Sequence, residues 1–142
     1  MLFYHANLLT MDAGRISRGW MRITDGKIAA LGSMDTFLPE EGAVDLKGAL
    51  VLPGFVDAHC HIGLFEDSLG FEGEDGNEDT DPVTPQLRAF DAVNPMERSF
   101  SEALCGGVTT VVTGPGSANA IGGQICAQKT AGRRVDAMAI SD

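Results

Sequence analysis

The sequence predicts an α/β protein in two parts: a β-rich segment over residues 1–52, and a strand–helix–strand unit that opens at residue 53. Three observations predict it. Residues 19–32 place apolar side chains symmetrically about Asp25-Gly26, the signature of a tight hairpin. Phe55, Val56 and Ala58 form a short apolar run behind Pro53-Gly54, as a buried strand does, and the run ends in His59 and His61. Val108–Thr113 is β-branched at every position and follows a stretch with strong helix-start signals.

In chain order, residues 2–10 read as a strand and residues 12–14 as a turn. Asp25-Gly26 suits a type I′ loop, whose two central residues need φ > 0. That register pairs Ile23 with Ile28 and Met21 with Ala30, making one face apolar. His5, in the first strand, has no partner nearby in sequence and reads as structural or surface. Residues 36–42 read as a loop or one helical turn, and short strands flank Lys47-Gly48; such strands and turns suggest a small sandwich. After His61 comes an acidic loop with Glu66, Asp67, Glu72, Glu74, Asp75, Glu78, Asp79 and Asp81, and no basic residue before Arg88. It reads first as a solvated charge run, and second as a wall that favours amine-bearing groups. Asn94, Pro95 and Glu97 form a capping-box-like start for a helix over residues 95–104, with Met96, Phe100, Ala103 and Leu104 on its packing face. Gly106-Gly107 ends it, and Cys105 is expected in the core. Val108–Thr113 is then a second, parallel strand. Residues 122–130 and 135–140 are expected to pair as a hairpin.

Side chains two apart on a strand share a face, so His59 and His61 project together and Cys60 projects away. Two imidazoles on one rigid strand can reach one ion at a Zn–N distance of about 2.0–2.1 Å. Asp57 has the same parity and is placed to orient them. The run Pro53-Gly54-Phe55-Val56-Asp57-Ala58-His59-Cys60-His61, with the later Gly107-Val108-Thr109-Thr110-Val111 and Gly114-Pro115-Gly116-Ser117-Ala118-Asn119, resembles the amidohydrolase superfamily. The likeness extends over essentially the whole chain and is strongest to the imidazolonepropionase-like and dipeptidase-like members. The resemblance implies that residues 53–142 begin a (β/α)8 (TIM) barrel, and that residues 1–52 belong to a small β-sandwich completed by carboxy-terminal strands. It implies a divalent metal, zinc by expectation, with one or two ions per complete site and His59 and His61 as ligands. A metal-bound hydroxide would attack an amide or other C–N bond. The remaining ligands and the proton-handling aspartate would lie on later strands, so no catalytic residue is assigned within this chain. Residues 114–119 leave the same strand ends, so Ser117 and Asn119 are candidate substrate contacts; an ordinary tight turn explains the segment equally well.

A complete barrel needs at least roughly 200 residues, and 89 lie between Gly54 and Asp142. The barrel is therefore incomplete in this chain, which reads as an amino-terminal fragment. The net charge of −10 disfavours a nucleic-acid or anionic-membrane partner and leaves a small-molecule substrate. The odd count of three cysteines without framework spacing suits a reducing cytoplasm, and no signal peptide or membrane span is read. A second reading is an inactive remnant that acts, if at all, as an association module. A reading frame that continues and supplies further histidines and an aspartate separates the two. Strand edges and one helix face would be left uncovered in the chain alone, so it is expected to associate as a homo-oligomer or with the rest of the protein. Sedimentation and hydrogen exchange check this. A monodisperse monomer protected through both the amino-terminal strands and Val108–Thr113 would show a complete domain and remove the barrel reading.

Overall fold

The computed structural model describes residues 1–142 except Ala13, Asp67, Ser68 and Asp142. The middle of the 12–14 turn and Asp67 of the acidic loop therefore lie outside the described residues. The chain is mixed α/β and forms two compact units, Met1–Pro53 and Gly54–Asp142.

The first unit is one five-stranded sheet: β1 (Leu2–Leu9), β2 (Arg15–Thr24), β3 (Lys27–Ser33), β4 (Val44–Asp45) and β5 (Leu50–Val51). β1 is central, antiparallel to β2 and parallel to both β4 and β5, and β3 pairs outside β2. Leu2, Ala6 and Leu8 of β1 are buried. A second sheet facing this one, which a sandwich requires, is not among the described residues. The β2–β3 turn has φ of 51° at Asp25 and 72° at Gly26, as a type I′ loop demands. Ile23 pairs with Ile28 as expected, but Met21 pairs with Leu31 rather than Ala30. A register shift between Arg22 and Ile23 sets Arg22 opposite Ala30, so β3 carries one residue more than β2 there. A 3₁₀ turn covers Met34–Thr36, earlier than the expected 36–42, because the Ser33 hydroxyl accepts the Asp35 N–H there.

The second unit is a four-stranded sheet, in the order β6 (Phe55–Cys60), β7 (Val108–Thr113), β8 (Cys126–Lys129) and β9 (Ala139–Ser141). Its helices are α1 (Ala89–Ala92), α2 (Arg98–Cys105) and α3 (Val135–Met138). β6 and β7 are parallel; β8 runs antiparallel to β7, and β9 antiparallel to β8. The expected 122–130/135–140 hairpin is thus present as β8 and β9, but residues 135–138 are a helical turn that buries Met138 in the core. That core joins Leu64, Ala89, Val93, Phe100, Val111 and Cys126.

Three expectations need correction here. β6 is an edge strand rather than a buried one, with Phe55 55% and Val56 63% exposed. The main helix starts at Arg98, not Pro95. The Asn94 side chain accepts the Met96 N–H, and the Glu97 carboxylate accepts the N–H of Gly63, so neither caps a helix in the expected way. Only Phe100 of the expected packing face is buried; Met96 and Leu104 are exposed, and so is Cys105. The helix ends at Gly106-Gly107, with Gly107 at φ 87°. No described helix is long and apolar enough to cross a membrane.

Gly54 lies against β7: a β-carbon there would sit 2.2 Å from Thr109 Oγ1 and 2.3 Å from its Cγ2. Gly54→Ala is expected to destabilise the second unit by about 1–3 kcal/mol, with partial recovery when Thr109→Ala is added. Urea denaturation measures it, and an unchanged midpoint would show that β6 does not need this close approach.

Candidate functional site

The site is assembled where β6 and β7 end together. The ladder closes with Cys60 opposite Thr113, and the Gly114 N–H then donates to the Cys60 carbonyl at 3.2 Å. The next residue, half-buried His61, places Nδ1 2.7 Å from the carbonyl oxygen of Gly114. A carbonyl only accepts, so Nδ1 carries the proton and Nε2 of the neutral ring keeps its lone pair. Metal-binding histidines are oriented by this kind of bond.

His59 is exposed, and its ring centre lies 5.4 Å from that of His61 at an interplanar angle of 79°. With Zn–N bonds of about 2.0–2.1 Å and ring centres roughly 1 Å behind the nitrogens, two rings on one tetrahedral ion stand about 5 Å apart. The observed spacing is of the size two imidazoles on one ion require. Among the described residues no group of three or more His, Cys, Asp and Glu side chains could hold an ion. Phe65 packs edge-on to His61 at 5.8 Å between centres.

Cys60 turns away from the pair, as alternation predicts: its thiol donates to the Val112 carbonyl at 3.6 Å. Burial pushes this thiol up, with the Asp57 and Glu97 carboxylates adding to the effect. Burial does the same to Cys126. Asp57 touches the site through the main chain, where its Oδ1 accepts the His59 N–H at 3.1 Å. A register shift between Asp57 and Cys60 interrupts the alternation that would set Asp57 beneath both rings.

Ser117 is exposed. The Asn119 amide donates to the carbonyls of Glu78 at 2.7 Å and Asp81 at 3.2 Å, so it ties residues 114–119 to the acidic loop. That loop contributes Glu74, Asp75 and Glu78 to a cleft of about 580 Å³ that Gln86, Arg88 and Asp91 also line. Neither histidine lines it. Arg88 there is paired with Asp91 at 2.8 Å.

Two features were beyond local sequence reasoning. His5 finds its partner 40 residues away, with Nδ1 3.0 Å from Asp45 Oδ1. The Lys47 N–H and then His5 hold the Asp45 carboxyl below the usual range. Glu97, read as a helix cap, is buried and binds the turn behind His61; its position after Pro95 gave only the local signal.

No family model matches the chain. It is 34% identical over 111 residues to amidohydrolase tasK of Hapsidospora irregularis, covering 77% of this chain and 11% of that protein. It is 43% identical over 47 residues to an imidazolonepropionase of Caldanaerobacter subterraneus, covering 33% of this chain and 11% of that one. It is 38% identical over 66 residues to a 5'-deoxyadenosine deaminase of Methanosarcina mazei, covering 45% and 15%. The fold matches the crystal structure of an amidohydrolase from Thermotoga maritima with a TM-score of 0.88 and 40% identity, over 99% of this chain and 36% of that one. The chain thus spans 11 to 15% of the length of these curated relatives.

The thiols give a check on the site's two faces. A raised pKa leaves less thiolate at neutral pH, so native Cys60 and Cys126 should react with iodoacetamide at least roughly tenfold more slowly than exposed Cys105. Peptide mass spectrometry reads this. Cys60 labelling as fast as Cys105 would put its sulfur on the histidine side.

Proposed function

The chain belongs to the amidohydrolase superfamily, and on that premise we propose that the complete protein is a metal-dependent hydrolase of amide or other C–N bonds, with His59 and His61 among its metal ligands. The observation that carries the reading is the bond from His61 Nδ1 to the Gly114 carbonyl, which presents Nε2 as a lone-pair donor beside the His59 ring. Imidazole suits zinc, and hydrolysis needs no redox chemistry. A bound divalent cation would supply Lewis acidity toward water and a substrate carbonyl. The chain's own residues would prepare for that: Gly114 fixes the His61 tautomer, Asp57 tethers the His59 backbone, and the core withdraws Cys60 from competition. One or two ions would complete the site, with further ligands on later strands.

In the same proposal residues 53–142 open a (β/α)8 barrel, whose sites lie at the carboxyl ends of the strands, and residues 1–52 contribute to a small β-sandwich. Ser117 and Asn119 stand on the loop after β7 at that end and would meet a small-molecule substrate; Asn119 would do so through Oδ1, since its amide nitrogen is engaged. The protein would be cytoplasmic and homo-oligomeric. A second reading, an inactive association module, is favoured by the apolar groove of the first unit, where Ile28 is 61% and Leu31 39% exposed.

Metal analysis of the complete protein beside its His59→Ala/His61→Ala variant tests the proposal. Zinc content is expected to fall at least tenfold, and C–N hydrolysis by on the order of 10³-fold, the loss of several kcal/mol of Lewis-acid assistance. Equal metal content and activity would sink it. The 142-residue chain alone, with two placed ligands where a catalytic zinc takes three, is expected to bind zinc weakly and to turn nothing over.

A further inference from the structure

We infer that Glu97 is a positioning residue for the histidine pair, a role that rests on the metal-site reading above: its buried carboxylate clamps the turn behind His61 and so holds that imidazole on the Gly114 carbonyl. The turn covers residues 61–64, closed by the Leu64 N–H donating to the His61 carbonyl at 3.0 Å. Three backbone groups inside it have distant partners. The Thr113 hydroxyl donates to the Ile62 carbonyl at 2.8 Å, and the Asn94 N–H donates to the Gly63 carbonyl at 2.8 Å. The Gly63 N–H donates to Glu97 Oε2, the one side-chain carboxylate holding the turn among the described residues. The Asn94 amide also donates to Glu66 Oε1, which ties the chain just beyond the turn to the same segment.

Only glycine fits position 63: it sits at φ 92°, and a β-carbon on it would lie 2.8 Å from Val93 Cγ1 and 3.2 Å from Phe100 Cε2. Glu97 is 9% exposed, so its bond to Gly63 is shielded from competing water. Without that acceptor the Gly63 N–H is left unmet in the interior, which drives the turn to rearrange two residues from His61. The Nδ1 bond to Gly114 then loses its fixed approach, and the ring is free to move its proton to Nε2. That tautomer has no lone pair where a cation would need it.

The test uses the 142-residue chain with ¹⁵N-histidine at about pH 8, above the ordinary histidine range, and compares Glu97→Gln, Glu97→Asp and Glu97→Ala. Long-range ¹⁵N–¹H correlation reads the tautomer of His61, titration with zinc alone reads affinity, and amide spectra report folding. Gln keeps an acceptor at the right reach; Asp keeps the charge but falls one methylene short. Wild type and Glu97→Gln should show Nδ1–H at His61, with zinc affinities within about threefold of each other. Glu97→Asp and Glu97→Ala should shift His61 toward Nε2–H and bind zinc roughly 10–100-fold more weakly. A wild-type tautomer in folded Glu97→Asp, or Gln failing as badly as Ala, would overturn the assignment. Failure of all three to fold would overturn it too, making Glu97 a determinant of the fold alone. If the wild-type chain and the complete protein both take up no zinc, the metal reading fails, while the tautomer comparison still decides the clamp.

Discussion

The candidate site depends on how the ends of β6 and β7 are fastened. β7 lies inside its sheet, paired on both sides, and Val111 and Thr113 are fully buried. The parallel ladder stops at Cys60 and Thr113, so it leaves the residues beyond Cys60 without strand partners. Three bonds carry the connection further: Gly114 N–H to the Cys60 carbonyl, Thr113 hydroxyl to the Ile62 carbonyl, and His61 Nδ1 to the Gly114 carbonyl. All three join segments more than 50 residues apart in sequence. Strand ends otherwise open at little cost. Here an imidazole just past such an end is tied to a strand that is paired on both sides.

What was legible in the sequence was whatever local chemistry decides. Asp25-Gly26 could form only a few tight turns, and its positive φ values select one of them. The β-branched run from Val108 had little alternative to a buried strand. His59 and His61 announced themselves by spacing. What was not legible depended on partners far away. Asn94 and Glu97 satisfy the pattern of a helix cap, but the Glu97 carboxylate has a second available partner in the Gly63 N–H, 34 residues before it, and that tertiary bond wins. Phe55 and Val56 look buried because composition reports what a strand needs covered, and says nothing of what covers it. The register shift between Arg22 and Ile23 has no local signature at all, so Met21 was assigned the wrong neighbour.

The two faces at the end of β6 show how close spacing can yield opposite chemistry. Cys60 lies between the two histidines in sequence, yet its sulfur is turned into apolar packing and held as a thiol. A soft anionic ligand and two neutral imidazoles would make a different donor set from the pair alone. The packing of Cys60 against the core keeps them apart.

The bond that orients His61 ends on a main-chain oxygen, and this bears on how the protein can vary. A side-chain partner can be lost in a single substitution; a peptide carbonyl is present whatever residue carries it. At position 114 itself a β-carbon would lie 2.3 Å from Ile125 Cγ2, so a larger residue there requires Ile125 to shift. The side chains that follow it, Ser117 and Ala118 among them, can be exchanged without touching the carbonyl that fixes the imidazole. Exposed Ser117 and Ala118 can thus vary at the mouth of the site while the apparatus beneath them stays insulated, with Asn119 between the Glu78 and Asp81 carbonyls holding the loop in place.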